Sequence, residues 1–199
     1  MQKHENVCGT GEAIALFDRE GVMTGGSVSR KEAHRNGIPH GASHTFVYKW
    51  EGGDLYLLLQ RRSLNKDSFP GCLDISSAGH IEFGMDFLST AVKELKEELG
   101  VTVSSDQLQE LFTQHVYASN VFHGEPFIDY EFNTVYALEM DCNPASLHLQ
   151  EEEVSEALWM RADDILADIS DGRSSICSDK DEMKRAIRML KNSKQKQQG

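Results

Sequence analysis

Apolar residues recur at two different periods along this chain, and the changes of period mark its elements. Alternation, with enrichment in β-branched and aromatic residues, predicts strands around 13–18 (AIALFD), 44–50 (HTFVYKW), 54–61 (DLYLLLQR), 73–78, 108–118 and 127–140 (FIDYEFNTVYALEM). The tetrapeptide EGGD at 51–54 predicts a hairpin between the second and third. Helical spacing predicts helices at 29–36, 86–99, 161–171 and 179–191, the last with Met183, Ile187 and Leu190 on one stripe. Strands precede and surround the helices without a regular βαβ alternation, so the class is α+β with a largely antiparallel or mixed sheet. The ending KNSKQKQQG, 191–199, is polar and low in complexity, and is expected to be disordered. Residues 1–190 are then one domain, with a strand and a helix as an N-terminal extension.

The helix at 86–99 carries the first hint of chemistry. Asp86 is a candidate N-cap and Gly100 a candidate C-terminal stop, while Leu88, Ala91, Val92, Leu95 and Leu99 form an apolar stripe. Glu94, Glu97 and Glu98 fall beside that stripe, at i, i+3 and i+4, where like charges repel by roughly 0.2–0.5 kcal/mol per pair. They also sit in the last turn, at the negative pole of the helix dipole. Lys93 and Lys96 offset three carboxylates incompletely. A hard divalent cation removes the liability, because Mg²⁺ takes carboxylate oxygens and is completed by waters and substrate phosphates.

Composition narrows the partners. Twenty Lys and Arg against 32 Asp and Glu give a formal net charge of −12, which repels nucleic acid polymers and anionic membranes. A small anionic substrate remains compatible, since a bound cation reverses the local field. The first twenty residues hold only IALF as an apolar run, and no later run reaches the length of a spanning helix. Cys8, Cys72, Cys142 and Cys177 are scattered without a C-x-x-C pair, as expected of reduced thiols in a cytoplasmic protein.

Residues 79–101, GHIEFGMDFLSTAVKELKEELGV, resemble the signature of the Nudix hydrolases, G-x5-E-x7-R-E-U-x-E-E-x-G-U with U aliphatic. Gly79, Glu94, Leu95, Glu97, Glu98, Gly100 and Val101 match in register. The resemblance implies an α/β/α sandwich around a mixed β-sheet and Mg²⁺-dependent hydrolysis of a diphosphate linkage, with Glu94, Glu97 and Glu98 as metal ligands and Mn²⁺ as an alternative ion. Two positions depart from the pattern. Met85 stands where the family has its first glutamate, with Glu82 and Asp86 nearby, and Lys93 replaces an arginine whose planar fork can hold a carboxylate by two bonds.

Beyond the signature, RKEAHRNGIPHGASHTFVY (30–48), LLLQRRSLNKDSFPGCLDISSAGH (57–80) and FIDYEFNTVY (127–136) resemble the branch containing isopentenyl-diphosphate isomerase. That resemblance implies a second divalent metal site at His34, His40, His80, Asp129 and Glu131. The first histidine spacing is one residue shorter here, and Asp129 stands where the isomerase has glutamate. Asp129 and Glu131 share one face of a strand. The isomerase's proton-donating cysteine is replaced by Ala78, whose methyl group donates nothing to an alkene, so the isomerase relatives that hydrolyse are the better match.

Arg61 and Arg62, with Lys66, form the clearest basic patch in the relevant half of the chain, and one of the arginines is expected to bind phosphate unless it pairs with Asp67 or Asp74. Within QEEEVSE, 150–156, Glu152, Glu153 or Glu156 is a candidate general base from a loop, beside Glu98; a solvated charge run is the alternative. Tyr48, Trp50, Phe69, Phe122 and Phe127 are candidates to stack on a base or isoprenoid, or else core residues. The expected function is cleavage of a P–O–P bond in a small nucleoside-diphosphate-type compound, with an isomerase or a binding domain without cleavage as the rivals.

Overall fold

A computed structural model describes residues 13–66, 68–172 and 175–197. Its strands are β1 (Ala13–Phe17), β2 (Met23–Ser29), β3 (His40–Glu51), β4 (Asp54–Arg62), β5 (Leu73–Asp74), β6 (Ser77–His80), β7 (Gln109–Phe122), β8 (Glu125–Glu139) and β9 (Val154–Arg161). Its helices are α1 (Arg30–Asn36), α2 (Phe87–Leu99), α3 (Ala162–Ser170) and α4 (Lys180–Gln197).

The period-2 alternation of the strands sorts their side chains onto two helical layers. Phe46, Leu57, Leu59, Val135 and Ala137 pack with Ile165 and Ile169 of α3 and with Met183, Ala186, Ile187 and Leu190 of α4. Their neighbours Val47, Leu58, Tyr136 and Leu138 point the other way, against Ala91, Leu95 and Leu99 of α2. The sheet is mixed: β3 runs parallel to β8 and antiparallel to β4 and β6. This is the expected α/β/α sandwich.

The fork in β3 places the site. Residues 48–51 of β3 pair with β4, whereas 42–45 pair with β6. The predicted strand at 73–78 is therefore two strands, because β5 follows β4 and β6 crosses to β3. Ser76 fills the gap where the ladder parts, accepting from the Val47 N–H at 2.7 Å and donating to the Leu58 carbonyl at 2.5 Å. Beyond the fork, the sheet face is left open to a pocket.

Helix α2 forms as its sequence predicts. Asp86 accepts from the Ser89 N–H at 2.7 Å, and Gly100 ends the helix at φ 70°. Two further expectations need correction. Strand β2 was not expected, because MTGGSVS has no apolar alternation; it forms as a mostly exposed strand paired with β1. The stretch 191–197, expected to be disordered, continues α4 as helix, with Lys191 on Asp163 at 2.5 Å and Lys194 over the Trp50 ring at 3.7 Å. Residues 198–199 lie outside the described residues.

Candidate active site

A pocket of about 450 Å³ opens where β3 changes partners, between α2, the loop after β4 and the start of α4. Glu94, Glu97 and Glu98 all line it. Glu98 is buried, and its Oε2 accepts from the Ala78 N–H at 3.1 Å and from Gln60 Nε2 at 3.5 Å. Burial, reinforced by the charge of Glu94, pushes the Glu98 carboxyl up to about 7. Glu94 lies against Gly79 so closely that a Cβ there would sit 2.3 Å from its Cδ. Any larger residue at 79 would displace the Glu94 carboxylate from this position. Glu97 is 49% exposed and is the outermost of the three.

Lys93, at the position of the family's arginine, sits among three acids. Its ammonium lies 3.2 Å from Glu82, 3.1 Å from Glu94 and 2.6 Å from Glu97. Burial opposes its charge, but the hydrogen bonds it donates to Glu97, Glu94 and Glu82, with the Glu94 charge, outweigh it and hold the group above the ordinary lysine range. Met85 packs on a small apolar cluster of Ala15, Phe17 and Ile81. Of the two nearby acids, Asp86 is used as the helix cap, and Glu82 is the one that reaches the pocket.

On the sheet side, ligand atoms of His34, His40, His80 and Glu131 lie within 4.8 Å of one another. His34 presents Nδ1 to the Arg30 carbonyl at 2.9 Å, and His40 presents Nδ1 to the Ile38 carbonyl at 2.7 Å. A carbonyl only accepts, so both Nδ1 atoms carry a proton and both Nε2 atoms are turned inward. Glu131 Oε1 lies 3.5 Å from His40 Nε2 and 3.2 Å from His80 Nε2. Asp129 Oδ1 lies 3.7 Å from His34 Nε2 and 3.8 Å from His40 Nε2. Burial, with the neighbouring His80 and His40, lowers His34 to about 3, so it is a neutral imidazole. Burial and the Glu131 charge raise the Asp129 carboxyl to about 7. His40 Nε2 and Asp129 Oδ1 are buried without a hydrogen-bond partner among the described residues. Inward Nε2 atoms, the neutral imidazole of His34 and the orphaned Asp129 oxygen, beside Glu131, are a donor set that fits a divalent cation.

The cationic wall differs from expectation. Arg61 does not line the pocket; its Nε donates to Glu156 at 2.8 Å and one terminal nitrogen to the Gly71 carbonyl at 3.2 Å. Arg62 does line it, paired with Asp74 at 2.9 Å and hydrogen-bonded to Ser68. Asp67 lies outside the described residues. Lys66 donates to Glu153, and burial, with Arg62 and Arg30 nearby, lowers it to about 8. Glu153 is the loop acid that reaches the pocket, whereas Glu152 and Glu156 are exposed outside it. Of the aromatics, Phe69 and Phe127 line the pocket and Phe122 packs its ring on both. Tyr48 is buried in the core, and Trp50 packs at its margin.

Two contributors were missed from the sequence. Arg30 lines the pocket, with its Nε buried and unpartnered among the described residues. The other is a pair on the pocket floor, His44 Nδ1 with Glu182 Oε1 at 2.9 Å and Oε2 at 3.0 Å. Burial works against a charged His44, yet the Glu182 carboxylate raises it to about 9. Glu182 is 138 residues away in sequence, at the start of a charged helix, so no spacing could have exposed the pair.

A model of the family described as the NUDIX domain matches residues 39–178. The chain is 34% identical over 154 residues to an uncharacterized Nudix hydrolase of Clostridium acetobutylicum, covering 77% of this chain and 72% of that protein. It is 41% identical over 152 residues to Nudix hydrolase 3 of Arabidopsis thaliana, covering 75% of this chain but 19% of that protein. It is 30% identical over 147 residues to an isopentenyl-diphosphate Delta-isomerase of Cereibacter sphaeroides, covering 72% and 76%. Among solved structures, a protein of Deinococcus radiodurans superposes with a TM-score of 0.60 at 24% identity, over 82% of this chain and 91% of that one. The C. elegans Ap4A hydrolase gives 0.50 at 20% identity, over 76% and 94%. The chain therefore belongs to the NUDIX domain family. Its enzyme class is that of the Nudix pyrophosphohydrolases.

Proposed function

We propose that this chain is a divalent-metal-dependent hydrolase that cleaves the P–O–P linkage of a small diphosphate compound, with residues 1–190 as a single catalytic domain. One observation carries the reading: the α2 carboxylates face a pocket whose other wall holds Arg30, Arg62 and Lys66. Glu94, Glu97 and Glu98 would hold Mg²⁺ or Mn²⁺, and His34, His40, His80, Glu131 and Asp129 a second ion. Such ions neutralise phosphate oxygens and acidify water. Arg30 and Arg62 offer guanidinium forks, and Lys66 a point charge, to the phosphates. Glu98, buried beside Glu94 within the pocket, would accept the proton of the attacking water. Glu153 is engaged by Lys66 and supports phosphate binding in this reading instead of acting as the base. The charge balance supports a small-molecule substrate over nucleic acid, and the scattered cysteines support a cytoplasmic setting. No helix among the described residues is long and apolar enough to cross a membrane.

The test is chromatographic separation of the products formed from nucleoside diphosphates, dinucleoside polyphosphates, nucleotide sugars and prenyl diphosphates with Mg²⁺ or Mn²⁺. Turnover that Glu98→Gln abolishes supports the proposal; turnover unchanged in that variant removes it. A second reading rests on Cys177, a thiol that lines the pocket and is kept protonated by burial. Ala78 cannot protonate an alkene, but that thiol carries a proton. Conversion of isopentenyl diphosphate to its dimethylallyl isomer, lost in Cys177→Ser, would establish the isomerase instead.

A further inference from the structure

The sheet face beneath the pocket changes character over two rungs: His44 shares one with Val135 and Phe112, and Asn133 and Gln114 share the next. Phe46, Val135 and Phe112 belong to the apolar core under α3 and α4, whereas His44, Asn133 and Gln114, on the same three strands, are polar. Asn133 lies on β8, across from Ala42 on one side and Gln114 on the other. Glu182 bridges the outer two strands, taking His44 Nδ1 and Gln114 Nε2. Asn133, on the strand between them, joins neither. It is 2% exposed, it lines the pocket, and its Oδ1 is buried without a hydrogen bond. Its amide nitrogen has no partner among the described residues either, so the vacancy does not depend on which way the amide is turned. His44 spends Nδ1 on Glu182 and leaves Nε2 without a partner among the described residues. Its cross-strand neighbour is Ala78, whose methyl group leaves that ring uncovered toward the pocket.

A buried amide is retained in a core only when something satisfies it. A hydrocarbon chain would seal these polar atoms away from every partner, and a bare phosphate could accept from the amide nitrogen but would leave the amide oxygen without a donor. We propose that Asn133 and His44 Nε2 form an inner subsite for a polar group of the substrate that both donates and accepts hydrogen bonds, such as a hydroxyl, a sugar or the edge of a heterocycle, and that the subsite discriminates against diphosphates of hydrocarbon alcohols. The inference rests on the diphosphate reading above and adds the class of the group beyond the phosphates.

The test compares ADP-ribose with isopentenyl diphosphate in the presence of Mg²⁺, with methylenediphosphonate as a probe of the shared phosphate region. The wild type should favour ADP-ribose in kcat/KM. Asn133→Leu should lower kcat/KM for ADP-ribose by roughly tenfold or more while leaving that for isopentenyl diphosphate and the affinity for methylenediphosphonate unchanged. Asn133→Ser and His44→Gln, with melting temperatures recorded, cover the case in which Asn133→Leu fails to fold; each should shift the preference in the same direction. If neither compound is turned over, their binding affinities are compared in the same variants with the same expectation. Equal losses for both compounds, as when a buried water alone satisfies Asn133, overturn the subsite, as does a wild-type preference for isopentenyl diphosphate. Failure of methylenediphosphonate to bind the wild type overturns the diphosphate reading and the subsite with it.

Discussion

The carboxylates of α2 and the histidines of the sheet meet in one pocket but reach it by opposite routes. Glu94, Glu97 and Glu98 come from one turn of one helix, graded from buried Glu98 to half-exposed Glu97, and Lys93 screens their repulsion. The sheet cluster takes His34 from α1, His40 from β3, His80 from β6 and Glu131 from β8, all buried except His80, which is partly so. The helical half is set by local spacing and tolerates adjustment through a flexible lysine. The sheet half has less slack, because backbone carbonyls hold the His34 and His40 rings and desolvation keeps His34 neutral. Damage to the helical half should therefore act on turnover, and damage to the sheet half on metal retention and stability.

The largest effect is expected at the buried end of the helical half. Glu98→Gln should reduce kcat by about 10²–10⁴ with little change in melting temperature, measured by chromatography of the products and calorimetry. Next comes the His44–Glu182 pair on the sheet side. Because folding raises His44 from 6.5 to about 9, its contribution is whole below about pH 6.5, declines above that and is gone once pH passes about 9. The unfolding free energy of the wild type relative to His44→Gln should shrink over that window by at most about 3 kcal/mol; a difference flat across pH 6–10 would remove the pair as a stabilising element.

Smaller effects sharpen the contrast. His40→Ala should lose the sheet-bound ion, with metal affinity falling by about 10–100-fold or more, while Glu97→Gln keeps it; metal content after dialysis distinguishes the two. Lys93→Met should cost roughly fivefold in kcat/KM, about 1 kcal/mol, and Lys93→Arg should restore most of it. Arg61→Ala should change kcat/KM by less than about twofold, since Arg61 faces Glu156 outside the pocket, whereas Arg62→Ala should raise KM.

Much of the helical half was legible because its information is local. The acids at i, i+3 and i+4, the cap at Asp86 and the stop at Gly100 are properties of one segment, and the structure keeps them. The sheet half was legible only through resemblance, since His34 and Glu131 share no local pattern. Lys93 shows how a local reading can mislead: with Lys96 it was read as offsetting the three carboxylates incompletely, but Glu82, folded back from the preceding loop, makes it the hub of three acids. Arg61 misled in the other direction, because the pleat turns adjacent arginines to opposite faces and only Arg62 turns inward.

By itself, the sequence determined the two periods that sort side chains onto the layers, the helix that carries the acids and the small residue at 79 that lets Glu94 approach. Only the tertiary structure decided where β3 forks, that 73–78 breaks to follow both branches, and that Glu182 crosses the sheet to His44. Helical spacing and pleat alternation act over a few residues and can be read in the chain. Pairing between distant strands is decided by packing and desolvation of the whole fold, and these have no local signature.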